Sequence, residues 1–195
     1  MWYQVRAGRY LLRPARDLQS ERCLMTSAVQ MRFIVSCLLL SGFMAVNVEA
    51  SDKIGKSAPV FGGMTAEGEE VRLEDYRGKV VVLDFWASWC GPCREELPFL
   101  MQLAALNKKK NFQLITVNID DKDANMVKFL SRIRRQSDVL IVDRKKAIPA
   151  LYDIQTMPTT VFIDRKCIVR YWHDGFTESD RERYEVELGR LLAEK

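Results

Sequence analysis

The residues best equipped for chemistry are Cys90 and Cys93, three apart in Trp89-Cys90-Gly91-Pro92-Cys93. A thiolate is the nucleophile of disulfide exchange, and two sulfurs one helical turn apart can bridge without moving the backbone. The run before them, Val80 to Trp86, is almost continuously apolar and holds a single acid, Asp84. Its length and β-branched content predict a strand buried on both faces. Pro92 has no amide hydrogen to lose and suits the first turn of a helix. That helix is predicted to reach about Asn107, with Leu97, Leu100, Met101, Ala104 and Leu106 apolar and with Pro98 kinking it. Cys90 then lies where helix-start amides and the helix dipole stabilise an anion. It is expected to have a lowered pKa and to be the exposed attacker, with Cys93 as the resolving thiol. Disulfide exchange needs no metal, nucleotide or flavin. Zinc would want four ligands, and beyond this pair residues 51–195 offer only His173 and Cys167 as His or Cys.

The remaining elements follow from periodicity. Pro59, Gly62, Gly63 and Gly68 punctuate a loop-rich stretch from Ser51 to Leu73, in which Val60-Phe61 and Val71 to Leu73 could pair as a hairpin. Leu73 to Gly78 reads as one helical turn closed by glycine. Phe112 to Ile119 and Val139 to Val142 are predicted strands. Between them Ala124 to Arg135 is amphipathic, with Met126, Phe129, Leu130 and Ile133 at helical spacing. Ala147 to Tyr152 is a short helix or turn. Thr159 to Ile163 and Ile168 to Trp172 alternate around Asp164-Arg165-Lys166-Cys167 as an antiparallel hairpin, and a final helix carries Tyr184, Leu188, Leu191 and Leu192. The order predicts an α/β domain with a central mixed sheet and helices on both faces.

The first fifty residues read differently. Phe33 to Val46 is a fourteen-residue apolar stretch after Arg32, followed by Val48-Glu49-Ala50. This is the order of a secretory signal with cleavage after Ala50. It is short for a membrane span, which needs about 20 apolar residues, although an uncleaved anchor and a buried helix stay open. Translation starting at Met25 or Met31 would give a signal of ordinary length, and Ile34-Val35-Ser36-Cys37 offers a lipobox alternative. The division is therefore an extension over 1–50 and a domain over 51–195.

Net charge is +4, of which residues 1–50, with six Arg and three acids, hold +3. The near-neutral remainder argues against nucleic acid as a partner. Runs such as Lys108-Lys109-Lys110 and Arg132-Ile133-Arg134-Arg135 read as solvated faces. Of the five Cys, Cys23 and Cys37 lie in the extension and Cys167 in a hairpin turn. Three domain cysteines make no disulfide framework, and Cys167 reads as a spare thiol.

Asp84 to Cys93, as Asp-Phe-Trp-Ala-Ser-Trp-Cys-Gly-Pro-Cys, resembles the active-site strand and turn of thioredoxins, and Thr156-Met157-Pro158-Thr159 resembles their cis-proline loop. Gly78 to Leu83, Phe162-Ile163-Asp164 and Gly175-Phe176 are similar to the TlpA/ResA branch, and the likeness covers about residues 53–193. It implies a thioredoxin fold and an exported thiol-disulfide oxidoreductase at the periplasmic or extracytoplasmic face of a bacterial inner membrane. Its implied partners are a disulfide-containing protein substrate and a membrane thiol reductase as electron donor, with membrane contact through the N-terminal segment. Cys90, Cys93 and Asp84 would be catalytic, with Asp84 taking the proton of Cys93. Trp89, Gly91, Pro92, Met157 and Pro158 would meet the substrate, Met157 through strand-like backbone bonds. Two departures argue against a role in haem maturation: Thr159 stands where cytochrome-c-maturation reductases carry an acid, and Gly91-Pro92 replaces the more varied dipeptides of ResA-like proteins. A peroxidase of this fold would want a single peroxidatic Cys preceded by Thr. A copper chaperone would want C-x-x-x-C with a metal-binding His. Neither pattern is present.

Overall fold

The computed structural model describes residues 52–133 and 139–194. The signal segment, the Cys37 lipobox and Arg134-Arg135 lie outside them. The described residues form seven strands: β1 Gly62–Met64, β2 Glu70–Arg72, β3 Val80–Trp86, β4 Phe112–Asn118, β5 Val139–Val142, β6 Thr159–Ile163 and β7 Val169–Asp174. The helices are α1 Cys93–Asn107, α2 Asp123–Ile133, α3 Ala147–Leu151 and α4 Asp180–Ala193, with a 3-10 turn at Leu73–Tyr76. Five strands form a mixed sheet in the order β5-β4-β3-β6-β7. β3 runs parallel to β4 and antiparallel to β6, and all seven of its residues are buried, as a central strand demands.

Register places the side chains. Asp84 lies opposite Thr160 and Val82 opposite Phe162, so these four share a face with Trp86. On that face Thr160 bonds Glu96 of α1, Trp86 meets Phe129 of α2 at 5.5 Å between ring centres, and Phe162 meets Tyr184 of α4 at 5.3 Å. Phe85 points the other way, to Tyr152 just after α3 at 5.5 Å. Helices therefore cover both faces, as the element order predicts.

The chain ahead of β3 works as a strap. Ser57 bridges Ile168 beside β7, and Thr65 bridges Ile141 of β5, so residues 57–65 reach from one edge of the sheet to the other. The ladder β1–β2 pairs Gly62 with Arg72 and Met64 with Glu70. It begins later than the expected Val60-Phe61. Phe61 is buried instead, and its carbonyl accepts the Leu73 amide where the ladder closes. Smaller shifts occur elsewhere. Val169 rather than Ile168 opens β7, and α3 ends at Leu151. Leu106 is 73 % exposed, while Leu103 takes the buried position in its turn. The helix α1 runs on through Pro98.

Gly63 shows how closely the strap packs. A methyl group there would lie 2.7 Å from Cγ2 of the buried Ile141. That branch sits on Cβ and cannot swing aside, so Gly63→Ala must move the hairpin off β5. The expected loss is about 1–3 kcal/mol, read from the midpoint of chemical unfolding. A midpoint equal to wild type would show that the hairpin is not seated on β5.

Candidate active site

β3 ends at Trp86 because the chain leaves the sheet, and α1 begins at Cys93. The intervening turn carries the predicted motif. Cys90 and Cys93 are joined as a disulfide with their Cα atoms 5.3 Å apart. The Cys93 amide donates to Cys90 Sγ at 3.2 Å, so a helix-start N–H does point at the sulfur named as attacker. Both cysteines are largely covered. Cys90 is 5 % exposed and Cys93 is 0 %. Cys90 is thus the more accessible of the two residues, but it is not the openly exposed one that the motif suggests. Trp89, at 63 %, stands out in solvent, and Gly91 and Pro92 are exposed beside it.

The second wall of the site is residues 156–159. Phe85 pairs with Thr159, so the preceding Pro158 lies level with the end of β3 and the start of the cysteine turn. The Met157–Pro158 bond is cis. Pro158 is buried and Met157 half-buried, and the Pro158 carbonyl accepts the Gly175 amide at 2.7 Å. The amide and carbonyl of Met157 make no hydrogen bond among the described residues.

Between β3 and α1 lies an acid pair. Asp84 is fully buried and neither of its oxygens has a hydrogen-bond partner among the described residues. Burial pushes its pKa well above the usual carboxylate range, and the charge of Glu96 adds to the rise. Glu96 sits one turn along α1 from Cys93 and is also fully buried. Its Oε1 accepts from Thr160 Oγ1 at 2.6 Å and from the Tyr184 hydroxyl at 2.9 Å, while Oε2 has no partner. Burial lifts Glu96 to about 7 against the restraint of those two bonds.

Sequence reasoning named Asp84 and missed Glu96. The signal was available: Cys93, Glu96, Leu97 and Leu100 fall on one helical stripe, and an acid on an apolar stripe is an anomaly. Asp120 was missed as well. It is 1 % exposed, and its carboxylate accepts from the Ser88 amide at 3.0 Å, the Ser88 hydroxyl at 2.9 Å and Asn118 Nδ2 at 2.9 Å. It braces the turn two residues before Cys90, from the carboxyl end of a parallel strand, where such folds gather their working residues. Cys167 lies on the far hairpin turn with φ 63°, half-buried and in no disulfide among the described residues. Among the described residues no group of three or more His, Cys, Asp or Glu is placed to hold a metal ion.

Glu96 yields a test. Its folded pKa of about 7 stands above the ordinary 4.5. Folding therefore favours the protonated form, a contribution present in full below the unfolded pKa and lost as pH rises through the folded one. Glu96→Gln keeps an acceptor for Thr160 and Tyr184 but has no charge to bury. Relative to that variant, the wild type should lose on the order of 3 kcal/mol of stability as pH rises from about 4.5 to about 8. Chemical unfolding of both oxidised proteins across this range measures it, and parallel curves would mean Glu96 carries no raised pKa.

The chain is similar to known proteins in sequence and fold. The model of the AhpC/TSA family matches residues 54–172. The thiol-disulfide oxidoreductase ResA of Geobacillus kaustophilus (strain HTA426) is 34 % identical over 132 residues, covering 67 % of this chain and 75 % of that protein. A crystal structure from Chlorobium tepidum, described as a thiol:disulfide interchange protein DsbE, is 40 % identical with a TM-score of 0.67, over 72 % of this chain and 98 % of that one. The exposed lipoprotein thioredoxin Etrx1 of Streptococcus pneumoniae strain TIGR4 is 28 % identical with a TM-score of 0.56, over 66 % and 98 %. A disulfide closed across the start of a helix, on a sheet of this order and with relatives of this kind, identifies the chain as a thiol-disulfide oxidoreductase belonging to the AhpC/TSA family of thioredoxin-like proteins.

Proposed function

We propose that the protein is a reductase of disulfides in partner proteins and works outside the cytoplasm. The observation that carries the direction of electron flow is the surroundings of the disulfide. Gly91 and Pro92 add neither charge nor side-chain donor beside Cys90. Two carboxyls, Asp84 and Glu96, are buried under the helix that Cys93 opens. Any negative charge on that pair disfavours a second one on sulfur, so the reduced form is not strongly stabilised.

In the proposed cycle the Cys90 thiolate attacks one sulfur of the partner disulfide. An S–S bond forms between the proteins, and the partner's other sulfur leaves as a thiolate. Cys93 then attacks Cys90, the intermolecular bond breaks, and the second partner sulfur leaves. The two electrons of the dithiol pass to the partner, and the Cys90–Cys93 disulfide remains. The proton of Cys93 goes to an ionised carboxylate of the buried pair, Asp84 or Glu96, and from there to a leaving sulfur. Trp89, Gly91 and Pro92 flank the attacked bond, and the unpaired main chain of Met157 is free to hold an extended partner segment. Restoring the dithiol takes an external dithiol, for which a membrane thiol reductase is the proposed donor. Location outside the cytoplasm is supported by the leader-like order of residues 32–50 and by the relative described as an exposed lipoprotein. Membrane contact through the N-terminal segment belongs to the same proposal.

The redox couple should lie nearer the thioredoxin value of around −270 mV than the oxidant value of around −120 mV. Equilibration against a dithiothreitol or glutathione series, followed by Trp fluorescence, reads it. A potential above roughly −180 mV would recast the protein as an oxidant or isomerase.

Cys93→Ser should leave partners trapped on Cys90 in an extracytoplasmic fraction of the native host, with the mature N-terminus near residue 51. Trapping confined to the cytosol, on a chain beginning at Met1, would overturn the location. Insulin reduction without peroxide consumption is expected of the purified protein, and the converse would favour a peroxidase.

A further inference from the structure

Asp174 ends β7 and pairs with Thr159, the first residue of β6. It is exposed, and its bonds converge on one atom. Oδ1 accepts from Thr156 Oγ1 at 3.1 Å, from Thr159 Oγ1 at 3.0 Å and from Trp172 Nε1 at 3.0 Å. The Thr159 hydroxyl also lies 2.9 Å from the Thr156 carbonyl, so its single hydrogen is shared between the two acceptors. The next residue, Gly175, donates its amide to the Pro158 carbonyl at 2.7 Å. Trp172 is itself fixed, stacked on Tyr152 with ring centres 6.4 Å apart and covered by Lys53 Nζ at 4.3 Å from its ring. Three residues of β7 and its exit, Trp172, Asp174 and Gly175, thus hold both ends of 156–159. Met157 between those ends keeps its own amide and carbonyl unpaired.

We propose that Asp174 is a positioning residue for partner binding: its Oδ1 fixes Thr156 and Thr159 so that the main chain of Met157 is presented, in a set orientation, to an extended partner segment. This rests on the reading that partners are proteins docking along residues 156–159. Substrate size separates this role from a purely structural one. Asp174 is exposed, and two of the three bonds to its Oδ1 come from Thr156 and Thr159. Its loss releases the segment that a protein partner must pair with, and leaves the sulfur chemistry in place. A small disulfide, with no chain to pair, should feel far less of the change.

The test compares Asp174→Ala, Asp174→Asn and Thr156→Val in the full chain, using insulin as protein substrate and hydroxyethyl disulfide as small substrate. Asp174→Ala should raise KM for insulin roughly three- to tenfold, the equivalent of one or two ordinary hydrogen bonds. Its preference for insulin over the small disulfide should fall by a similar factor, with the Cys90–Cys93 potential at the wild-type value. Asp174→Asn, which keeps an oxygen acceptor, should restore most of the loss. Thr156→Val, which removes one donor from the same oxygen, should shift KM the same way by less, and it answers the question alone if Asp174→Ala folds poorly. Equal losses on both substrates, a displaced potential, or an unchanged insulin KM in both Asp174→Ala and Thr156→Val would each overturn the proposal. A wild-type chain that reduces the small disulfide but not insulin would instead remove the protein-partner reading, and this proposal with it.

Discussion

The site depends on where β3 is forced to stop. Seven consecutive buried residues, paired on both sides, leave this strand no freedom of register, since a slip of one residue would turn Asp84 and Trp86 to the opposite face. With the register fixed, the chain emerges at Trp86 and must turn at once into α1. That turn brings the Cys93 amide onto the Cys90 sulfur, and Asp120 grips it through Ser88. The antiparallel pairing with β6 sets residues 156–159 alongside. Neither wall of the site needs a loop of its own design, because each is the end of a strand whose place the core dictates.

The same core tolerates an arrangement that folding alone would not select. Asp84 has no hydrogen-bond partner among the described residues, and half of the Glu96 carboxyl has none. Burying such groups uncompensated costs free energy, and the protein avoids most of that cost by keeping them protonated over much of the pH range. Glu96, lifted to about 7, can take up or give away a proton near neutral pH with little change in energy.

Much of this was legible in the chain. The apolar run of β3, its solitary acid and the cysteine spacing are local signals, and each survived folding unchanged. The alternation of strand and helix predicted a mixed sheet with helices on both faces, and the strand order came from the structure. What stayed hidden depended on contacts distant in sequence. Glu96 is defined by Tyr184, 88 positions away, and by Thr160, 64 away. Asp120 matters because Ser88, 32 positions back, lies against it. The start of β1 moved past Val60-Phe61 because the core took Phe61, a choice that depends on Tyr152, with which its ring packs edge-on at 6.0 Å. Leu106 is apolar but lies half a turn off the stripe of Leu97, Leu100, Met101 and Ala104, so helical spacing itself turns it to water.

The strap over residues 55–66 has a meaning for the molecule's solubility. The amides of Gly55 and Ala58 and the carbonyl of Lys56 pair with Cys167 to Val169, and the Ala66 amide pairs with Leu140, so one stretch of chain occupies part of each outer edge of the sheet. An outer edge left bare is a template for a strand from a neighbouring molecule. A shortened chain that lacked these residues would keep β3, α1 and both cysteines, yet its first fault would be self-association along β5 and β7. The segment that looks most like a dispensable leader to the domain covers the edges at which such pairing would start.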